Sequence, residues 1–161
     1  MEHLKLDKQT AIKLFPTAAS EFRTMLESTF GKETFSGKIT DKLRSISDCY
    51  DLLGLNVSDH TPYPNPVNAR QLAVNGFEEA MIAIEAINEG WMPDYNNSSQ
   101  YKYEIWWDMR NDGLVFNYVD YWASGSGVGS RLCFKSAELA KWAAKQDWFI
   151  SICKKFMTRK P

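Results

Sequence analysis

Along the first part of the chain, hydrophobic residues recur at the three- and four-residue spacing of helices. Asp7 is predicted to cap a short helix that runs to Leu14. A second helix is predicted near residues 18–30, where the apolar positions are Phe22, Met25, Leu26 and Phe30. Ser47 is predicted to cap a third helix that ends at Gly54. These patterns indicate a helical amino-terminal part over residues 1–55.

A longer helix is predicted in the middle of the chain. Asn65 and Pro66 have the residue types favoured at the N-cap and first turn, and an apolar stripe follows as far as residue 89. Gly90 is expected to end this helix, and the pair Asn75–Gly76 marks a weak point inside it, because glycine disfavours helix. Residues 56–65 contain prolines and polar turn residues, which predicts a linker-like loop.

After Gly90 the period of the pattern changes to two. Residues 101–108 alternate as a half-buried strand does, and Asn111, Asp112 and Gly113 form a turn signal before residues 114–119, so a hairpin is predicted. The glycine- and serine-rich segment 124–130 is expected to lead into a third strand, Arg131–Phe134. A single closing helix is predicted after its N-cap Ser136, with one apolar face formed by Leu139, Trp142, Ala143, Phe149, Cys153 and Phe156.

These elements predict one α+β domain over residues 1–161. Its parts are amino-terminal helices (1–55), the linker-like loop (56–65) and a helix-sheet-helix core (66–161). The core consists of a long central helix, a three-stranded antiparallel meander and a carboxyl-terminal helix packed on the sheet. Helix is expected to exceed strand, with strands confined to residues 100–135.

Several blocks of the sequence resemble a known group of proteins. These blocks are Ile87–Asn97, Gln100–Tyr103 and Val128–Ser136, together with Lys32–Phe35 and Leu53–Leu55, so the likeness spans most of the chain. The group consists of small phage, prophage and mobile-element proteins of gut bacteria, for which no activity is established. The resemblance implies a phage or mobile-element setting and supplies no catalytic residues.

Composition and charge narrow the classes of function. The chain has 161 residues, 44% of them hydrophobic, and a net charge of -1, which argues against a uniformly basic nucleic-acid coat and against an acidic nucleic-acid mimic. The sequence contains no run of 18 apolar residues, and its charged start lacks the apolar stretch of a secretory signal. We therefore expect a cytoplasmic protein with no membrane partner.

Two alternatives remain open on charge and chemistry. The carboxyl end is locally cationic, so a nucleic-acid-binding protein would use the basic residues Lys135, Lys141, Lys145, Lys154 and Lys155. A small metal-dependent hydrolase would combine the loop residue His60 with the carboxylates Asp94, Asp108, Asp112 and Asp120.

Other motifs favour structural roles. The three cysteines are far apart and form no C-x-x-C pair, so no disulfide framework, metal site or cofactor is predicted. The segment 125–130 lacks the lysine and the following helix of a phosphate-binding loop, which favours a hairpin connection. We assign no catalytic residue.

The aromatic strand supplies the preferred hypothesis. Trp106 and Trp107 must point to opposite faces of a regular strand, and Trp107 shares the apolar face with Tyr103 and Ile105. A tryptophan on the polar face is typical of interface hot spots. We therefore predict a non-enzymatic accessory protein that binds a host protein or sequesters a small ligand through Lys102, Trp106, Asn117 and Arg131. The alternative is that the amino-terminal helices cover this face.

Overall fold

A computed structural model of the chain describes residues 6–35, 37–110 and 113–159. The α-helices are α1 (Lys8–Leu14), α2 (Ser20–Phe30), α3 (Lys32–Phe35), α4 (Ile39–Lys42), α5 (Ile46–Leu53), α6 (Ala69–Ile87), α7 (Ala137–Ala143) and α8 (Asp147–Met157). Short 3-10 turns cover Phe15–Thr17 and Val57–His60, and the strands are β1 (Lys102–Asp108) and β2 (Val115–Trp122). The fold is α+β with more helix than strand, as the sequence predicts.

Side-chain caps fix where the early helices begin. Asp7 accepts the Thr10 N–H at 2.8 Å, which confirms the predicted start of α1. The predicted cap Ser47 is wrong, because Ser45 accepts the Asp48 N–H at 3.3 Å and α5 begins at Ile46. Ser47 therefore lies inside the helix that it was expected to precede.

The central helix α6 starts later than the sequence pattern predicts. The Asn68 side chain accepts the Gln71 N–H at 3.0 Å, and the Gln71 side chain accepts the Val67 N–H at 2.8 Å. This reciprocal capping satisfies two otherwise unpaired donors and sets the first turn at Ala69 rather than Pro66.

The predicted weak point at Gly76 causes no break in α6. Gly76 is buried where α6 crosses α8, and an added Cβ would lie 2.4 Å from the Lys155 Cβ. The glycine therefore permits close packing between the two helices, and that packing outweighs its low helix propensity.

The loop before α6 is anchored on that helix. The Asn75 side chain accepts the Tyr63 N–H at 2.9 Å and donates to the Tyr63 carbonyl oxygen at 2.8 Å. His60 Nδ1 lies 3.0 Å from Glu78 Oε1 one turn further along α6. Residues 56–65 are thus held at two points.

The predicted three-stranded meander is wrong, because the sheet contains only the antiparallel pair β1–β2. In place of the predicted strand Arg131–Phe134, one isolated bridge joins Phe134 to Tyr103, with N–H to carbonyl distances of 2.8 and 3.0 Å. The Asn88 side chain takes the flanking backbone groups, donating to the Cys133 carbonyl and accepting the Lys135 N–H, both at 2.9 Å. The Asn88 side chain thus makes hydrogen bonds where a third strand would need bonds between backbone groups.

The single predicted closing helix is also wrong. Ser136 caps α7 by accepting the Leu139 N–H at 3.3 Å, but the helix ends at Ala143 and α8 begins at Asp147. Gln146 has extended backbone between them, and its side chain donates to the Trp142 carbonyl oxygen at 3.1 Å. As a result α7 packs on the hairpin, whereas α8 packs on α6.

The hydrophobic core lies between α5, α6, the two closing helices and one face of the hairpin. Its large members include Tyr50, Ile87, Trp107, Phe134 and Phe149, all buried. Burial of each such side chain contributes about 1.5–3 kcal/mol. Among the described residues, no helix has the length and apolar character needed to cross a membrane.

Candidate binding surface

Strand register assigns each hairpin residue to one of two faces. Residues that lie directly opposite across an antiparallel pair share a face, and alternate residues of a strand share it too. The inner face, which joins the core, is formed by Tyr103, Ile105, Trp107, Phe116, Val119 and Tyr121. The outer face is formed by Lys102, Glu104, Trp106, Asp108, Val115, Tyr118, Asp120 and Trp122.

Three large aromatic residues of the outer face are open to solvent. Trp106 is 49% exposed, Tyr118 45% and Trp122 47%. The rings of Trp106 and Tyr118 stack across the strands, with centroids 5.9 Å apart and planes 19° from parallel. We call Trp106, Tyr118 and Trp122 the aromatic face. Clustered exposed aromatics of this kind are typical of interaction sites.

A β-bulge at Asn117 shapes one end of the aromatic face. The register shifts between Trp106, which pairs with Tyr118, and Trp107, which pairs with Phe116. Asn117 is therefore an extra residue without an opposite partner, and its side chain is exposed. Bulges re-aim side chains and increase the local twist of a strand. Asn117 accordingly lies next to Tyr118, at one end of the aromatic face.

Lys102 is fully buried, so it is not available for the predicted contact with a ligand. Its Nζ donates to main-chain carbonyl oxygens of two loops, and it lies 5.0 Å from the centre of the Tyr95 ring. The carbonyls belong to Asp94, Asn97 (3.3 Å), Gln100 (2.7 Å) and Ala123 (2.8 Å). These bonds compensate the loss of water around a buried ammonium group.

Glu104 is buried beside Lys102 under the glycine-rich segment. The Ser126 hydroxyl donates to Glu104 Oε1 at 2.5 Å, and the Gly127 N–H lies 3.2 Å from both carboxylate oxygens. A Cβ at Gly127 would lie 3.3 Å from Glu104 Oε2, so the glycine allows this approach. Loops therefore cover the part of the outer face that contains Lys102 and Glu104.

Arg131 is placed apart from the aromatic face. It lines a cavity of about 300 Å³ with Glu85 and Asn88 of the α6 end and with Trp91. Of the four residues predicted for the site, the structure brings together Trp106 and Asn117.

Asp120 is a feature of the outer face that the sequence analysis did not assign to the binding surface. It lies directly opposite Glu104 and between Tyr118 and Trp122 along β2. Its Oδ1 accepts the Tyr121 N–H at 2.9 Å, and none of the four ion pairs among the described residues includes it. The period-two alternation of a strand, extended to β2, predicts that Asp120 lies on the outer face with Tyr118 and Trp122.

The basic residues of the carboxyl end form no continuous free surface. Lys135 pairs with Glu89, and Lys155 Nζ lies 2.5 Å from Glu79 Oε2. The side chains of Lys141, Lys145 and Lys154 are exposed. Two of the five predicted nucleic-acid contacts are thus engaged with carboxylates.

The carboxylates considered for a hydrolase are dispersed. Asp94 Oδ1 accepts the Asn96 N–H at 2.9 Å, which is a turn contact. Asp108 accepts hydrogen bonds from the guanidinium group of Arg110 and from its main-chain N–H at 3.0 Å, and these lower the pKa of Asp108 to about 2. Asp112 lies outside the described residues. Within the part of the chain that the structure describes, no group of three or more His, Cys, Asp or Glu is placed to hold a metal ion.

The cysteines are buried inside the fold. Burial raises the pKa of the Cys49 and Cys153 thiols to about 12 and also raises that of Cys133. Since the thiolate is the nucleophile, burial and the raised pKa disfavour reaction at all three thiols.

Comparison of the chain with protein-family models, with curated proteins and with solved structures gives no match.

Proposed function

We propose that this protein is a non-enzymatic binding protein that engages a protein partner through the aromatic face. The stacked, half-exposed pair of Trp106 and Tyr118 carries the proposal. Tryptophan and tyrosine dominate protein interface hot spots because they remove a large area from water at low entropic cost. The resemblance to phage and mobile-element proteins adds an accessory role in which the partner belongs to the host.

The shape of the aromatic face favours a protein over a small ligand. Small-molecule sites are concave and enclose most of the ligand surface. The aromatic face is an open strip along a two-stranded ribbon, and each of its three side chains keeps close to half of its area in water. A second macromolecular surface is needed to cover such a strip.

The charges around the aromatic face also favour a protein partner over a nucleic-acid partner. Single-stranded nucleic-acid sites combine aromatic platforms with a cationic groove that follows the phosphates. Here Asp120 and Glu104 lie next to the aromatic residues, and the cation of the same face, Lys102, is buried. We therefore favour a protein partner.

Site-specific cross-linking tests the proposal. A photo-reactive phenylalanine analogue at position 122 is expected to cross-link a partner in the cells that encode the protein. The same analogue at Val67, which is 82% exposed and lies in the loop before α6, serves as the control. Trp106→Ala and Tyr118→Ala should abolish the cross-link without unfolding the chain. Equal cross-linking from positions 122 and 67, insensitive to both substitutions, would contradict the proposal.

A further inference from the structure

One edge of the hairpin is open for strand pairing. In the part of the chain that the structure describes, β2 pairs with β1 alone, whereas the other edge of β1 is bridged to Phe134. Tyr103 directs its N–H and carbonyl towards Phe134, so its opposite residue Tyr121 must direct its own backbone groups away from β1. The alternation places the backbone of Val119 at the same open edge. Unpaired edge groups of this kind are a template for an added strand.

Asp120 gives this edge a specific charge. Its side chain lies on the outer face between Tyr118 and Trp122, and directly across β1 it meets a second carboxylate, Glu104. Like charges directly opposite in a sheet are destabilising. Glu104 is satisfied by Ser126 and Gly127, whereas Asp120 has no cationic partner among the described residues.

We infer that the partner presents an extended segment carrying an arginine, which adds to the open edge of β2 and places its guanidinium on Asp120 between Tyr118 and Trp122. The inference rests on the proposed function and names the chemistry of the partner. A residue opposite Asp120 on the added strand shares its face and lies within cross-strand contact distance. The aromatic rings on either side accept the flat cation by stacking and cation–π attraction.

Before a partner binds, the Asp120 side chain itself satisfies one of the backbone donors at the open edge. Asp120 Oδ1 accepts the Tyr121 N–H, which is one of the outward donors of β2. An added strand supplies a carbonyl to that N–H, and the released carboxylate then pairs with the arginine. No bond is lost without replacement in this exchange.

Charge complementarity selects this occupant over a second copy of the chain. The sequence of β2, Val115–Trp122, contains one acid and no base. Pairing of β2 with itself therefore offers Asp120 no counter-charge, whereas an arginine-bearing segment does.

Short peptides binding to the full chain test the inference. The probes are fluorescent, end-capped octapeptides of alternating threonine and valine with a central arginine, and matched peptides with glutamine or glutamate there. We expect the arginine peptide to bind about tenfold or more tightly than the glutamate peptide, because close interface charge pairs couple strongly. Asp120→Asn, which keeps an oxygen for the Tyr121 N–H, should remove the preference, and Asp120→Lys should reverse it.

Backbone pairing has its own readout. N-methylation of the peptide amides that face β2 should weaken binding, and bound peptide should protect the Val119 and Tyr121 amides from hydrogen exchange. The Asp120 amide, which faces β1, is the internal control. Equal affinity for the arginine and glutamate peptides, no effect of N-methylation, no binding at about 1 mM peptide, or a wild-type dimer paired through β2 would each overturn the inference. The cross-linking result above is independent of these peptides, so the proposed function can stand while this inference fails.

Discussion

Lys102 and Trp122 are direct partners across the hairpin, yet Lys102 is fully buried and Trp122 is half exposed. Two loops supply carbonyl oxygens to Lys102 at this pair, and the glycine-rich segment that follows Ala123 also covers Glu104. The aromatic face therefore begins where a buried cation holds two loops in place. Lys102 therefore links the stability of the two loops to the exposure of Trp122 on the aromatic face.

The first prediction concerns the buried ammonium group. Lys102→Met keeps most of the length of the side chain but removes the donor that the partly buried carbonyls share, so we expect a loss of about 3 kcal/mol in the free energy of unfolding. Chemical denaturation measures it. Lys141→Met, at an exposed position, is the control and should change stability by less than about 0.5 kcal/mol. Similar small effects of both substitutions would show that the carbonyl contacts of Lys102 do not stabilise the fold.

The second prediction separates the two adjacent tryptophans. Trp107 is 9% exposed within the core, so Trp107→Ala should cost about 3–5 kcal/mol by leaving a cavity. Trp106→Ala removes a solvent-exposed stack on Tyr118 and should cost about 1 kcal/mol. Urea denaturation of the two variants checks the difference. Equal, large losses would mean that both faces of the hairpin are covered.

The third prediction tests the crossing of α6 and α8. Gly76→Ala gains helix propensity but drives its Cβ into Lys155, so we expect a net loss of about 1–3 kcal/mol. Gly125→Ala, whose added Cβ meets nothing within 4 Å, should change stability by less than about 0.5 kcal/mol. Thermal melting of both variants measures the effect. A stabilised Gly76→Ala protein would show that the two helices lie further apart.

The fourth prediction is a titration. Hydrogen bonds from Arg110 lower the pKa of Asp108 from 3.8 to about 2. The pair therefore contributes its stability above pH 3.8, and this contribution is lost as the pH falls through about 2. Carbon-detected NMR should place the Asp108 midpoint near 2, and Arg110→Gln should raise it towards 3.8. A wild-type midpoint near 3.8 would contradict the pairing.

The fifth prediction addresses nucleic acid. Because Lys135 and Lys155 already pair with Glu89 and Glu79, we expect little binding to single- or double-stranded oligonucleotides even at about 50 mM salt. Fluorescence anisotropy with labelled probes measures it. Salt-sensitive binding that the double variant Lys141→Glu and Lys145→Glu abolishes would instead favour the nucleic-acid alternative.

Local patterns predicted most elements but not their pairing. The period-two run of β1 correctly separated Trp106 from Trp107, because strand alternation is a local property. The third strand was wrong because Phe134 makes only a single bridge to Tyr103, and the neighbouring Cys133 carbonyl bonds to the distant Asn88 side chain. Contacts between residues so far apart in sequence leave no local signature.

The candidate surface also combines features that are local in sequence with features that depend on distant contacts. Alternation placed Lys102 on the outer face with Trp106, and the register confirms that assignment. Its burial depends on loops that fold back over the strand, and glycine- and serine-rich loops carry little pattern from which their path can be predicted. Sequence therefore predicted the face of each residue but not its exposure.

The Asn88 side chain has a consequence for self-assembly. By occupying the Cys133 carbonyl and the Lys135 N–H, it leaves Phe134 as the one residue of this segment that bridges β1 in the described structure. Continuous fibrils need two open strand edges on every molecule, one to receive and one to offer. The Cys133 carbonyl and the Lys135 N–H are already bonded to Asn88, so residues 133–135 do not offer the second open edge that fibril growth through this segment would need.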